Sequence, residues 1–427
     1  MRPGALSGES DPVGNGPSSI EGSPCVHCGL CLEACPTYRL TGVEAESPRG
    51  RLYLMKAIAD GRMTLDATSA SHLDSCLGCL ACETTCPSGV AYRHHIEGIR
   101  PRLRGLRRDT FRGFVYRAMR NERWQRVAVG IAALLDAVGL QQFRRTLPGI
   151  GLVPARRGGP QEKRSPETEV APHARRPSVA LLTGCGARVF RPSLEAAVRQ
   201  VLEMNGVRVV TLESDSCCGA LALHEGRDAE ARAHSSATLK RAGELGVDHV
   251  VTAAAGCRAA LEEFARLPRT EPASAFGAPP REPTVREICE LLVEIEFRKP
   301  VARVTSDERM VAYHDACHLL HAARVVEPPR TVLAAAGLTV CDLGENSICC
   351  GSAGTYNMTH AETAAALGGR KADLASEGGF RQIAVANLGC ILQIERALAL
   401  SGSTGIRVAH PVEYLSDAYD TEALKQR

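Results

Sequence analysis

The chain has 427 residues, 44% of them hydrophobic and 23% charged, with 51 Lys plus Arg against 48 Asp plus Glu. That balance excludes wholesale disorder, and a net charge of only +3 excludes a dedicated nucleic-acid binder. No apolar run reaches the eighteen or so residues that a membrane span needs, since the longest, residues 127–135, stops at Asp136.

The first residues lack an apolar core and so read as no signal peptide, which predicts a cytoplasmic chain in which disulfides are not the default. Its 18 cysteines then call for metal or redox chemistry. Residues 1–23, rich in Gly, Ser and Pro, read as a disordered tail.

Residues 24–98 hold eight cysteines in two matching runs. Cys25-x2-Cys28-x2-Cys31-x3-Cys35-Pro36 is answered by Cys76-x2-Cys79-x2-Cys82-x3-Cys86-Pro87. This is the bacterial ferredoxin spacing, in which the fourth cysteine of each run serves the other cluster. Three thiols two residues apart wrap one face of a cube. The proline behind the fourth blocks helix continuation and turns that thiol toward the neighbouring cluster. Cys25, Cys28, Cys31 and Cys86 are thus expected to hold one [4Fe-4S] cluster, and Cys76, Cys79, Cys82 and Cys35 the second. Zinc also suits Cys-x2-Cys, but two runs ending in Cys-Pro fit iron-sulfur better.

Between the runs, residues 49–60 have helix-forming composition, with Leu52, Met55 and Ala59 at helical spacing. This helical insert resembles the ferredoxin domains of succinate dehydrogenase and fumarate reductase iron-sulfur subunits. Arg49 and Arg51 are placed either beside the negatively charged clusters or on the surface.

Residues 99–177 form a basic helical segment and a linker. Ten Arg fall within residues 100–126 against Asp109 and Glu122, interleaved with Phe111, Phe114, Tyr116, Met119 and Trp124. Two readings stand: an amphipathic face for a partner or anionic lipid, or a solvated helix whose arginine stems cover the ferredoxin module.

The remainder alternates between apolar runs and Ala/Arg/Glu-rich stretches, an α/β pattern that repeats. One strand ends at Cys185 and its counterpart at Cys317. Cys217-Cys218-Gly219 and Cys349-Cys350-Gly351 each follow 32 positions later. A further strand ends at Cys257 in one copy and Cys390 in the other, 39 and 40 positions beyond the pair. Each copy closes on an apolar helical stretch, from Val285 and from His410. Residues 266–284 read as a surface loop. Two α/β domains are expected, at 178–300 and 301–427, with strand ends bringing each cysteine set to one point. Four thiols per copy suffice for one cluster or one zinc ion; a thiol relay and plain core packing are the alternatives. His314, His318 and His321 are candidate ligands or proton carriers beside Cys317, or hydrogen-bonded structural residues. Cys289 and Cys341 fall outside the repeat and are expected in the core.

At the paired cysteines the chain resembles the cysteine-rich, or CCG, domain family, which includes the catalytic subunit of heterodisulfide reductase and the iron-sulfur subunit of anaerobic glycerol-3-phosphate dehydrogenase. That resemblance implies an unusual [4Fe-4S] assembly, but the family's last cysteine is replaced here by Ala260 and Gln393. With ESDSCCGAL, HDACHL, CCGSAGTYN, NLGCILQI and SPRGRLYLMK, the whole order closely resembles the glycolate oxidase iron-sulfur subunit family. The resemblance implies an α+β multidomain protein: a helical ferredoxin module, then two α/β CCG domains.

It also implies a role as electron-transfer subunit of a 2-hydroxy-acid dehydrogenase complex, with FAD on partner subunits only. A quinone or membrane acceptor follows, with the chain peripheral on the inner face of the cytoplasmic membrane. No strand is followed by G-x-G-x-x-G, which agrees with a flavin held elsewhere. Alternatives are the iron-sulfur subunit of a lactate or glycerol-3-phosphate dehydrogenase, or a heterodisulfide-reductase-like thiol subunit.

Overall fold

A computed structural model describes residues 23–106, 110–147, 151, 153, 177–213, 216–266, 282–301, 309–403 and 405–425. The expected N-terminal tail, the linker and most of the 266–284 loop lie outside them.

The N-terminal region is helical. Ser47 caps the helix Pro48–Ala59 by accepting from the Gly50 amide at 2.9 Å, and Pro48 supplies a preset first turn. Leu52, Met55 and Ile58 on its inner face pack with Leu73 of helix Ala67–Asp74 and with Tyr92, Ile96, Ile99 and Leu103 of helix Tyr92–Leu106. This small core is what holds the two cysteine loops. The two Cys-Pro steps differ from the expectation. Pro36 opens a helix, Pro36–Thr41, with Cys35 as its extended N-cap; Cys86 instead closes the helix Ala81–Thr85 before Pro87. Both cysteines are extended because a residue before proline is barred from the helical region, and this is what turns each thiol off its own loop.

Two four-stranded parallel sheets follow. The first contains β1 (Ser178–Leu181), β2 (Arg208–Thr211), β3 (His249–Thr252) and β4 (Thr284–Glu287), in the order β2-β1-β3-β4. The second contains β5 (Met310–Tyr313), β6 (Thr339–Asp342), β7 (Gln382–Ala384) and β8 (Arg407–Ala409), in the matching order β6-β5-β7-β8. The repeat is therefore real in three dimensions. Its last element is a correction: the stretch from Val285 is not wholly helical. Thr284–Glu287 pairs with β3, and the helix Ile288–Glu294 starts only after it. The cause is local. Glu287 serves as N-cap and sets the helix start, leaving β-favouring Thr284 and Val285 to extend the sheet.

The two α/β units share one core. Helix Pro192–Met204 lies against the terminal helix Pro411–Lys425, and Val201, Leu202, Leu292, Val332, Val412, Leu415 and Tyr419 are buried together. Arg191 crosses the boundary to Glu413 at 3.1 Å and Glu395 at 2.9 Å.

Candidate functional site: sixteen thiols and a shared cavity

Cys25, Cys28, Cys31 and Cys86 line one small concavity, with Arg49 and Tyr92 on its wall and Cys82 beside it. Four soft sulfur donors around one hollow fit a four-iron cluster, whose ligands are thiolates. Cys28 is the exposed member of the set. The second set, Cys35, Cys76, Cys79 and Cys82, is buried. Arg51 occupies the space beside it, only 1% exposed. Its guanidinium reaches the Cys35 sulfur at 3.9 Å, the His72 carbonyl at 2.7 Å, Thr37 Oγ1 at 3.0 Å and Ser75 Oγ at 2.7 Å. Both arginines thus lie beside thiols: Arg51 is buried at the second set, and Arg49, half-buried on the wall of the first, pairs with Glu44 at 2.8 Å. Burial first, and neighbouring thiols next, push Cys79 and Cys82 well above the ordinary thiol range. Iron must displace those protons to bind, so loading and protonation compete.

The second set abuts the second α/β unit. Leu77, Cys79 and Ala81 pack with Ile348, Cys349 and Tyr356, and Cys317 touches the same cluster. The loop is pinned there by His318, whose Nε2 bonds the Gly78 carbonyl at 3.0 Å, and by His321, whose Nδ1 bonds Thr84 Oγ1 at 2.8 Å. Both lie on a single π turn, His318–Ala322. From the other side Arg100 bonds the Cys76 carbonyl at 3.1 Å and the His224 carbonyl at 2.9 Å, and the His224 ring stacks on His318. His318 and His321 are thus positioning residues; His314 is not among them.

All eight cysteines of the repeats line one cavity of about 520 Å³. In the first unit the sulfurs of Cys218 and Cys257 are 2.9 Å apart, Cys217 lies beside Cys218, and Cys185 opens to the cavity. In the second unit Cys317 and Cys349 are 4.0 Å apart, with Cys350 and Cys390 in the wall behind. None of the four expected strand-ending cysteines ends its strand: Cys185 and Cys317 lie four residues past β1 and β5, and Cys257 and Cys390 sit in the first turn of the following helix, Ala255–Arg266 or Leu388–Leu400. The glycine after each pair has a steric reason. Gly219 and Gly351 adopt φ of 77° and 87°, and an added Cβ would meet a helix carbonyl at 2.4 Å and 2.9 Å respectively. That turn aims the Gly219 and Gly351 amides back at the sulfurs of Cys217 and Cys349, at 3.4 and 3.5 Å.

Residues 179–262 and 311–395 match the family described as cysteine-rich domain, and residues 21–90 match the 4Fe-4S dicluster domain. Among curated relatives, the glycolate oxidase iron-sulfur subunit of Escherichia coli (strain K12) is 32% identical, over 93% of this chain and 94% of its own. The chain belongs to the glycolate oxidase iron-sulfur subunit family. A probable member from Bacillus subtilis (strain 168) is 29% identical over 92% of this chain and 93% of its own. The lactate utilization protein A of Bacillus pumilus (strain SAFR-032) matches only 56% of this chain, at 28% identity, and 98% of its own length.

In this family member the basic segment combines features of both earlier readings. Arg100, Arg112 and, in part, Arg120 turn inward, whereas Arg102, Arg104, Arg117, Arg123 and Arg126 stay exposed. Arg112 is buried against Asp74 at 2.7 Å and Glu225 at 3.2 Å, and Arg120 bonds Tyr116 at 2.8 Å and contacts Glu230. The apolar side chains are left outside: Phe111, Phe114, Trp124 and Val127 are about half exposed, and Leu134 and Val138 more so. Several of them also border the mouth of the thiol-lined cavity. Among the described residues, no helix is long and apolar enough to cross a membrane. Cys289 is fully buried as expected, whereas Cys341, on the edge strand β6, is only half-buried. Arg100 and Arg112 had no distinguishing sequence signal among so many arginines; each joins the ferredoxin module, at Cys76 or Asp74, to partners over a hundred positions away.

Proposed function

We propose that this chain is the electron-transfer subunit of a flavin-dependent glycolate dehydrogenase complex. It takes electrons from an FAD-bearing partner subunit and passes them singly toward a quinone-type acceptor at the membrane surface. Cys25, Cys28, Cys31 and Cys86 are assigned to one [4Fe-4S] cluster and Cys76, Cys79, Cys82 and Cys35 to the other. The cysteines of the repeats are assigned to a further cluster or metal. Bound clusters would supply one-electron carriers between a two-electron flavin and the acceptor.

The observation that carries this reading is the continuity of the thiols. Exposed Cys28 belongs to the outer set, the buried set lies within, and Cys79 of that set packs against Cys349 and Cys317 at the cavity. The chain's own contribution is to hold these groups in line and dry. Arg51, Arg100, His318 and His321 fix the loops, and Leu77 and Ile348 exclude water between the inner set and the cavity. The outward apolar stripe of Phe111, Trp124, Val127, Ile131 and Leu134, with Arg117, Arg123 and Arg126 beside it, supports contact with an anionic lipid surface.

The test is reconstitution with the flavoprotein partners. Glycolate should bleach the iron-sulfur absorbance of this chain only when they are present, and turnover to a quinone analogue should depend on Cys28 and Cys79. Reduction of the isolated chain by glycolate would defeat the proposal, as would a complex whose electron delivery survives loss of both N-terminal clusters.

A further inference from the structure

The second repeat carries a histidine where the first carries a leucine. Aligning Cys185 with Cys317 sets Leu182 against His314, each one residue past its strand, β1 or β5. His314 is 1% exposed, and neither ring nitrogen has a hydrogen-bond partner among the described residues. An imidazole has one donor and one acceptor to satisfy, and leaving both bare in a dry interior forfeits their hydration with nothing in return. The unmet demand points to something absent from the protein atoms.

What surrounds the ring says what that is. A nitrogen of His314 and the sulfurs of Cys350 and Cys390 lie within 4.8 Å of one another, all three residues buried. Asn387 Nδ2 points at the Cys390 sulfur at 3.2 Å, a donor suited to a thiolate. The Lys371 amine, held by the Glu345 carbonyl at 2.7 Å, brings positive charge to the same region. Thiols that serve a cube must reach separate corners, whereas these three donors converge on one point.

We infer that His314, Cys350 and Cys390 bind a single tetrahedral zinc ion, with neutral imidazole and two thiolates as ligands and the two thiol protons released on binding. Two sulfurs and one imidazole suit zinc rather than a hard oxygen-seeking cation. Cys350 and Cys390 also form part of the cavity wall, so the ion's remaining coordination position faces the cavity. The first repeat cannot copy this site, because Leu182 offers no donor. The two repeats are thereby differentiated: the second carries the ion, and the first keeps its thiols free of it. This inference narrows the metal reading of the repeats given above and is independent of the ferredoxin assignment.

The experiment uses full-length protein purified without oxygen, with zinc, iron and sulfide measured together. The expected result is one zinc per chain in addition to the iron of the N-terminal module. His314→Leu, which installs the first repeat's residue, should lose that zinc and leave iron, sulfide and the reduced-cluster EPR signal unchanged. His314→Cys should retain zinc, which separates lost ligation from lost folding. Protein that keeps its N-terminal iron but is depleted of zinc, loaded with one equivalent of Co2+, should show thiolate-to-cobalt charge-transfer bands that weaken in Cys350→Ser/Cys390→Ser. Wild-type protein without zinc, zinc that survives His314→Leu, or iron that leaves with His314 would each overturn the inference. Zinc lost with His314 from a chain whose N-terminal module holds no iron would sustain it while defeating the ferredoxin reading.

Discussion

A carboxylate oxygen of Glu287 lies 3.3 Å from Nε2 of His410, with both side chains fully buried. Glu287 ends β4, and His410 directly follows β8, so the pair joins equivalent positions of the two repeats. Each also starts a helix in the same way. The Cys289 amide donates to Glu287 at 2.7 Å, and the Val412 amide donates to His410 Nδ1 at 3.2 Å. Because Nδ1 accepts, the ring proton is carried on Nε2, the nitrogen 3.3 Å from the carboxylate but outside hydrogen-bond geometry with it. The two sheets are therefore fastened where their repeats correspond.

Removing one partner strands the other in a dry interior. Glu287→Ala and His410→Ala should each destabilise the C-terminal half by about 3–5 kcal/mol, with the double variant costing clearly less than their sum. Urea titrations of the four proteins measure this. Additive losses would show that the two groups act only as separate helix caps. Iron content should be unchanged throughout.

Arg51 sits between charge and structure. Its guanidinium donates to the His72 carbonyl, Thr37 and Ser75 and faces the sulfur of Cys35, with Glu46 at 3.3 Å balancing the charge. A fixed positive charge beside a cluster favours the reduced state. Arg51→Gln should lower the potential of the cluster proposed at Cys35 on the order of 60 mV, equivalent to about 1.4 kcal/mol for one electron. The cluster held by Cys25 should move less. Equal shifts in both, read by EPR-monitored redox titration, would mean that the substitution loosens the module as a whole.

The proposed crossing of the fourth cysteines has its own signature. Cys86 shares a concavity with Cys25, Cys28 and Cys31, and Cys35 lies with the buried set through Arg51. Cys28→Ser and Cys86→Ser should then perturb the same EPR signal, each leaving about four of eight iron atoms intact. Cys35→Ser and Cys76→Ser should perturb the other. Pairing of Cys35 with Cys28 in such spectra would reverse the assignment.

The ferredoxin runs and the repeat were legible because each is written in local spacing. Three cysteines two apart can only bend around one object, and the matched 32-residue steps place matched strand ends. The fourth strand of each unit was not legible, since the four and three residues leading into an apolar helix show no period of their own. The inward turn of Arg100 and Arg112 was equally hidden. Their partners, His224, Glu225 and Thr359, are distant in sequence, and a run of arginines looks solvated until a carboxylate is brought to meet it. His314 could be seen as one of three histidines, but only the fold separates it from His318 and His321.

Glu97, on helix Tyr92–Leu106, offers a pH test remote from the cysteines. Burial first, and the neighbouring Glu263 carboxylate next, push its pKa up to about 8. Arg93 offsets this only in part, because its guanidinium is engaged by Glu263 at 2.9 Å. The unfolded chain loses the Glu97 proton near pH 4.3, whereas the folded chain keeps it until about pH 8. Stability from this group is thus complete below about pH 4.3 and is lost progressively as pH rises through about 8. Glu97→Gln cannot ionise and should match wild type near pH 5. Above pH 8 it should be the more stable protein, by up to about 5 kcal/mol. Denaturation curves at the two pH values decide the matter. Parallel behaviour of wild type and Glu97→Gln would show that Glu97 ionises in the folded chain much as it does in water.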